Sequence, residues 1–246
     1  MGEGLVRIGT SGYQYRHWEG VFYPDALPVR QWFAHYTRHF DTVELNTTFY
    51  RLPEPEVFDA WREQAPPGFV YALKFSRYGS HLKHLKDPER TVPAFLDRAR
   101  RLGGHLGPVL VQLPPRWKVD PKRLAGFLDH VRGQGRWAVE LRDRSWLCEE
   151  VYGALEERGV ALCVHDWLED HPVRLTAGWT YLRFHGDHYQ GSYTSAELRD
   201  WAERVHTFSS RGVDVYAFFN NDQGAHAVRN ALALRRSLGT HRAADA

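Results

Sequence analysis

The chain has 246 residues, 43% of them hydrophobic and 25% charged, a composition that supports a sizeable core and excludes intrinsic disorder. A formal net charge of +2 is too small to mark a nucleic-acid binder by itself. With only Cys148 and Cys163, far apart and outside any CxxC pattern, neither a disulfide framework nor a thiolate zinc site is expected, and no run of about 18 apolar residues predicts a membrane span. A reduced cytoplasmic protein with no membrane partner is the expectation.

In chain order, residues 5–9 (LVRIG) read as a first strand, and the aromatic loop GTSGYQYRHWEGVFYP follows. Helical spacing of Trp32, Phe33, Tyr36 and Phe40 predicts a helix over 29–40. The stretch VELNTTFYRLP, residues 43–53, begins as a strand that alternates Val43 and Leu45 with Glu44 and Asn46. Such alternation fits a strand covered by helices on one side and facing a polar interior on the other. A helix over 55–64 is expected to bury Val57, Ala60 and Trp61, and strand three (69–75) empties into a basic loop carrying Arg77, His81, Lys83, His84 and Lys86.

A third helix places Val92, Phe95, Leu96, Ala99 and Leu102 on one face, with Gly103 and Gly104 as its stop. Strand four is PVLVQLP, and Asp120 before Pro121 starts a helix that buries Leu124, Phe127, Leu128 and Val131. WAVELRD is strand five, a helix spans 149–158, and VALCVHD is strand six. Too few residues remain before strand seven, TYLRFHG, for a sixth helix. Thr194 and Glu197 form a capping box for a helix with Leu198, Trp201, Ala202, Val205 and Phe208 on one face; strand eight, VYAFFNND, and a helix over 224–238 end the pattern. Strict alternation without repeat or linker predicts a single α/β domain over 1–246, a (β/α)8 TIM barrel with a short or missing helix after strand six, ahead of a doubly wound sheet.

Six ordered motifs, GTSGYQYRHWEGVFYP, VELNTTFYRLP, VQLPP, VELRDRSW, YLRFHG and FFNNDQGAHAVRNALAL, resemble the successive signatures of the YecE-like family, the domain of unknown function numbered 72. The resemblance spans essentially the whole chain, with Tyr13 standing where the family pattern more often has Trp. It implies a TIM-barrel fold and no particular activity.

In such a barrel the long strand-to-helix links share the C-terminal face, where active sites sit. Strand parity points Arg7, Gly9, Ser11, Thr42, Glu44, Asn46, Ala72, Lys74, Leu110, Gln112, Ala138, Glu140, Arg142, Tyr181, Arg183 and His185 inward, and strand ends place Asp166, Asn220, Asn221 and Asp222 at the mouth. Buried charges must pair or face water. One reading is therefore an ion-pair lattice that plugs the barrel. The favoured reading is an enzyme of hydrolase or lyase type acting on a small anionic or phosphorylated ligand. Glu44, Lys74, Glu140 and His185 would be its acid and base groups, and Ser11, Asn46, Tyr50, Arg51, Gln112, Arg142, Asp166, Arg183, Asn220 and Asn221 its ligand contacts.

Two alternatives compete. Glu140, Asp166, His185 and Asp222, with His165 in reserve, offer oxygen and imidazole ligands for a metal-dependent hydrolase, although Lys74, Arg142 and Arg183 would crowd a cation. Tyr13, Tyr15, Trp18, Tyr50 and Tyr78 with Arg77, His81, Lys83 and Lys86 offer a stacking rim for a nucleotide or single-stranded nucleic acid without catalysis. Loop packing and a solvated charge run explain that rim better than binding does. No cofactor and no metal ligand is assigned.

Overall fold

The computed structural model describes residues 2–187 and 189–244. Eight parallel strands alternate with helices in the manner of a (β/α)8 barrel. They are β1 Val6–Thr10, β2 Thr42–Leu45, β3 Val70–Lys74, β4 Leu106–Gln112, β5 Trp137–Glu140, β6 Ala161–His165, β7 Trp179–Phe184 and β8 Asp214–Phe219, in the sheet order β1-β8-β7-β6-β5-β4-β3-β2. The isolated parallel bridge Ser11↔Glu44 joins the two ends of that order. The helices are α1 Trp32–Tyr36, α2 Thr47–Tyr50, α3 Pro55–Gln64, α4 Pro88–Ala99, α5 Pro121–Val131, α6 Glu149–Arg158, α7 Ser195–Ser210 and α8 His226–Ala244. No helix among the described residues is long and apolar enough to cross a membrane.

Chain contacts cluster in two compact units, Met1–Glu44 with His165–Trp167 and Leu182–Ala246, and Leu45–Val164 with Leu168–Tyr181. In the first unit, β1 pairs with β8 in a register that sets Val6 opposite Val215 and Thr10 opposite Phe219. Gly9 lies within β1, ahead of the turn that follows the strand. A Cβ there would stand 2.3 Å from the Thr42 carbonyl oxygen, so glycine is what lets the two backbones approach. The turn belongs to Gly12, at φ 87°. The Tyr36 hydroxyl donates to Thr42 O at 3.0 Å and accepts from Thr10 N at 3.0 Å, tying α1 to both strands. The aromatic loop after β1 packs inward: Trp18 is fully buried and Tyr23 stacks on Trp32 at 4.6 Å.

In the second unit β4 and β5 pair from Val109↔Trp137 to Gln112↔Glu140. Behind them Phe75 meets Phe95, Phe127 and Trp137 at 5.2, 5.5 and 5.8 Å. Asp120 caps α5 by accepting from Arg123 N, and the four predicted core residues of that helix are buried. The sixth helix is missing as expected. In its place Thr176 Oγ1 accepts from Leu162 N and donates to Val160 O, both at 2.7 Å, and so fastens the connecting segment along β6.

Several boundaries and faces differ from the sequence reading. The first helix breaks into a 3-10 turn, Val29–Gln31, and the short α1, yet its four predicted apolar residues are all buried. Residues 47–50 form the single turn α2 rather than continuing strand two. In α3 the buried residue is Phe58, while Val57 is 38% exposed. Ala60 is exposed and Trp61 half-buried, so the apolar face is rotated by one residue. In α7 Trp201 and Phe208 are only half-buried. The capping box is present as expected, with Thr194 Oγ1 accepting from Glu197 N and the Glu197 carboxylate accepting from Thr194 N. A 3-10 turn, Gln223–Ala225, precedes α8, and its N-cap Asp222 makes no side-chain cap hydrogen bond.

Candidate functional site

The predicted interior residues gather in two charged clusters, one in each compact unit. The first is built on the ends of β1, β2, β6 and β7. Glu44 is fully buried, and its Oε1 accepts from the Ser11 hydroxyl in a short hydrogen bond and from Arg183 Nη2 at 2.7 Å. Arg183 is 1% exposed and reaches His185, just past the end of β7, through Nη1 to Nε2 at 3.3 Å. A guanidinium can only donate, so His185 Nε2 is the acceptor. The proton then sits on Nδ1, which donates to Asp166 Oδ1 at 3.1 Å. That tautomer follows from the network.

Asp166 is a focus of donors. Its Oδ1 also accepts from His185 N at 2.8 Å, and Oδ2 accepts from Gly186 N at 3.2 Å and, in a short bond, from the Tyr193 hydroxyl. Burial acts to raise the carboxyl, but the hydrogen bonds of His185 and Tyr193 outweigh it and hold Asp166 below the ordinary carboxylate range. Burial and the Asp166 charge push the Tyr193 hydroxyl up, so it stays a proton donor. His165 is buried too; its Nδ1 accepts from Trp167 N at 3.1 Å and its ring meets His185 edge-on at 5.8 Å.

The second cluster stands on β3, β4 and β5. Gln112 Oε1 accepts from Lys74 Nζ at 2.9 Å and from Arg142 Nη2 at 3.4 Å, while Arg142 Nε donates to Glu140 Oε1 in a short ion pair. The β4–β5 register is what sets Gln112 beside Glu140. Lys74 is 8% exposed and lies 4.2 Å from the centre of the Phe49 ring, a cation over an aromatic face. Its backbone carbonyl accepts from the Thr48 hydroxyl at 2.7 Å. His81 meets Phe49 edge-on at 5.0 Å. Burial, reinforced by the charges of Lys74, Arg77, His84 and Arg142, pushes its imidazole down to about 4.

The remaining predicted site residues fall elsewhere. Asn46 is half-buried at the start of α2. Tyr50 and Arg51 are exposed and line a cavity of about 420 Å³ whose walls include none of Lys74, Gln112, Glu140 or Arg142. Asn220 is held by its backbone, which donates to Phe184 O at 2.7 Å. Asn221 is fully buried and works as scaffold: its amide donates to Gly191 O and to Asn230 Oδ1, both at 2.9 Å. Tyr193, Thr48 and Phe49 are contacts that sequence reasoning missed. Tyr193 stands in a loop without periodicity, and its one signal is its place directly before the capping box at Thr194.

Among the described residues no three His, Cys, Asp or Glu side chains are grouped to hold a metal ion. Asp166 is committed to His185, and Asp222 Oδ2 lies 3.4 Å from His17 Nε2. The stacking rim likewise loses members, since Tyr13 and Trp18 are core residues and only Tyr50 and Tyr78 present large exposed faces.

Comparison with known proteins places the chain in a family. Residues 7–246 match the family described as "Protein of unknown function DUF72". The UPF0759 protein YecE of Escherichia coli K12 is 34% identical over 147 residues, 56% of this chain and 53% of that protein, so the match spans about half of that relative's length. The UPF0759 protein YunF of Bacillus subtilis is 24% identical with 95% of both chains covered. A solved DUF72 family protein of Thermotoga maritima superposes with a TM-score of 0.85 at 30% identity, covering 96% of this chain and 99% of that one. A DUF72 protein of Enterococcus faecalis, at 22% identity and a TM-score of 0.80, covers 96% of each chain and shares the fold. The family match over nearly the whole sequence, with the strand order and helix pattern described above, shows that the chain belongs to the YecE-like DUF72 family of TIM-barrel proteins.

Proposed function

We propose that the protein is an enzyme that uses acid-base chemistry on a small anionic or phosphorylated ligand. One observation carries the reading: Lys74 and Arg142 both donate to the same neutral oxygen, Gln112 Oε1. Charge-assisted hydrogen bonds to an anion are roughly twice as strong as those between neutral groups. A carboxylate or phosphate arriving at these donors replaces a neutral acceptor with a charged one, and half-buried Gln112 is the group it displaces. Glu140, paired with Arg142, is the base of this cluster. In the first cluster His185, oriented by Asp166 as a carboxylate orients a catalytic imidazole, serves as acid or base, and Glu44, paired with Arg183, is the buried carboxylate of that cluster.

The competing reading is the ion-pair lattice, which the complete burial of the Glu44–Arg183 pair favours. Native mass spectrometry of protein purified without chelators separates the two. The enzyme reading expects a stoichiometric small organic anion on the wild type. That anion is lost in Lys74→Ala and Glu140→Gln while circular dichroism and the melting midpoint stay close to wild type. A bare wild-type chain together with variants that unfold assigns the Lys74–Glu140 cluster to stability and sinks the proposal.

A further inference from the structure

We propose that the cavity between α2 and α4 is a second binding site, for a small molecule that joins a planar aromatic ring to a phosphate or carboxylate. Its volume of about 420 Å³ falls within the range of small-ligand pockets. The inference does not depend on the acid-base reading, because the cavity contains none of the groups invoked there.

Three features point to that ligand class. Phe49 and Phe95 give the cavity an apolar floor, and Tyr50 and Tyr78 open onto it while remaining 76% and 55% exposed. Exposed tyrosines of this kind give large, rigid contact area at low entropic cost, and every aromatic ligand has a face to stack on them. Arg51 and Arg90 line the same space, and among the described residues neither guanidinium makes a hydrogen bond or ion pair. An exposed arginine in that state is a fork of donors for a bidentate anion. Lys83, by contrast, is engaged, with Nζ 2.9 Å from Asp87 Oδ2.

The backbone around the cavity carries an independent mark. Tyr78 begins a π-helical turn, Tyr78–Leu82, a form found mostly as single turns and often at functional sites. The chain then places three non-glycine residues in the left-handed region, His84 at φ 48°, Leu85 at 59° and Asp87 at 54°. Each is a strained conformation for a side chain with a Cβ and persists only where surrounding structure enforces it. The segment delivers Asp87 to the cavity wall and starts α4 so that Arg90 faces the same space as Arg51.

Isothermal titration with adenosine monophosphate, adenosine and inorganic phosphate, at low and at high salt, tests the assignment. Adenosine monophosphate is expected to bind more tightly than either fragment, and more weakly at high salt because the two guanidiniums are exposed to screening. The Arg51→Ala/Arg90→Ala double variant should weaken it about tenfold or more, corresponding to loss of about 1.4 kcal/mol. Both arginines are exposed, so far-UV circular dichroism should not change. Tyr78→Leu should weaken adenosine and the nucleotide alike and leave phosphate unaffected. The proposal fails if adenosine monophosphate shows no saturable heat below about 1 mM, if the double variant binds it as wild type does, or if adenosine binds as well as the nucleotide.

Discussion

At the scale of single residues, His81 is the group whose environment has the clearest consequence. Burial and the neighbouring cations hold it neutral, with its imidazole pushed down to about 4, against about 6.5 for an unperturbed histidine. In the unfolded chain the ring protonates first as pH falls, so the unfolded state binds more protons between those two values. Stability is therefore full above about pH 6.5 and declines as pH drops toward about 4, below which both states are protonated and the loss stops growing. Replacing His81 by Gln removes the titration. Urea midpoints measured at pH 7 and at pH 5 should differ less in His81→Gln than in the wild type. His35 and His171 are also shifted down by burial, but both chains retain them, so the comparison isolates His81. An unchanged pH dependence would place the ring in water rather than against Phe49.

At the scale of elements, α3 shows both how much the sequence discloses and where it stops. Its start at Pro55 and its ten-residue length were readable, because proline at the first helical position and a polar stop bracket it. Its face was not, because Val57 and Phe58 are adjacent apolar residues 100° apart and periodicity can seat either one. The fully buried Phe58 packs edge-on against Trp61 at 5.0 Å. Phe58→Ala should cost about 3–5 kcal/mol, whereas Val57→Ala should stay within about 0.5 kcal/mol; chemical denaturation of the two variants decides which face is correct. Parity likewise reaches no further than β2. It places Glu44 inside, but the chain turns into α2 at Thr47, alternation ends there, and Tyr50 and Arg51 stand exposed at the side cavity. The individual charged residues were legible from alternation. The pairing of Gln112 with Glu140 depends on the β4–β5 register and that of Asp166 with Tyr193 on a loop, neither of which local pattern encodes.

At the scale of the whole molecule, the (β/α)8 strand order predicts cooperative unfolding even though contacts cluster in two groups. Three of the four boundaries between those groups fall inside strands: Glu44 and Leu45 belong to β2, Val164 and His165 to β6, and Tyr181 and Leu182 to β7. A strand cannot keep one half of its ladder while the other half melts without exposing backbone donors and acceptors that need partners, so a division through three strands gives no stable place to stop. We expect one transition in urea, with tryptophan fluorescence and far-UV circular dichroism coincident. Thr194→Ala removes the α7 capping box in one group and should cost about 1 kcal/mol. Phe58→Ala acts in the other group. In a single cooperative unit each shifts the whole transition and leaves its slope unchanged, and the two costs add in the double variant because the sites share no partner. Two resolved transitions, with Thr194→Ala moving one and Phe58→Ala the other, would show instead that the groups unfold independently.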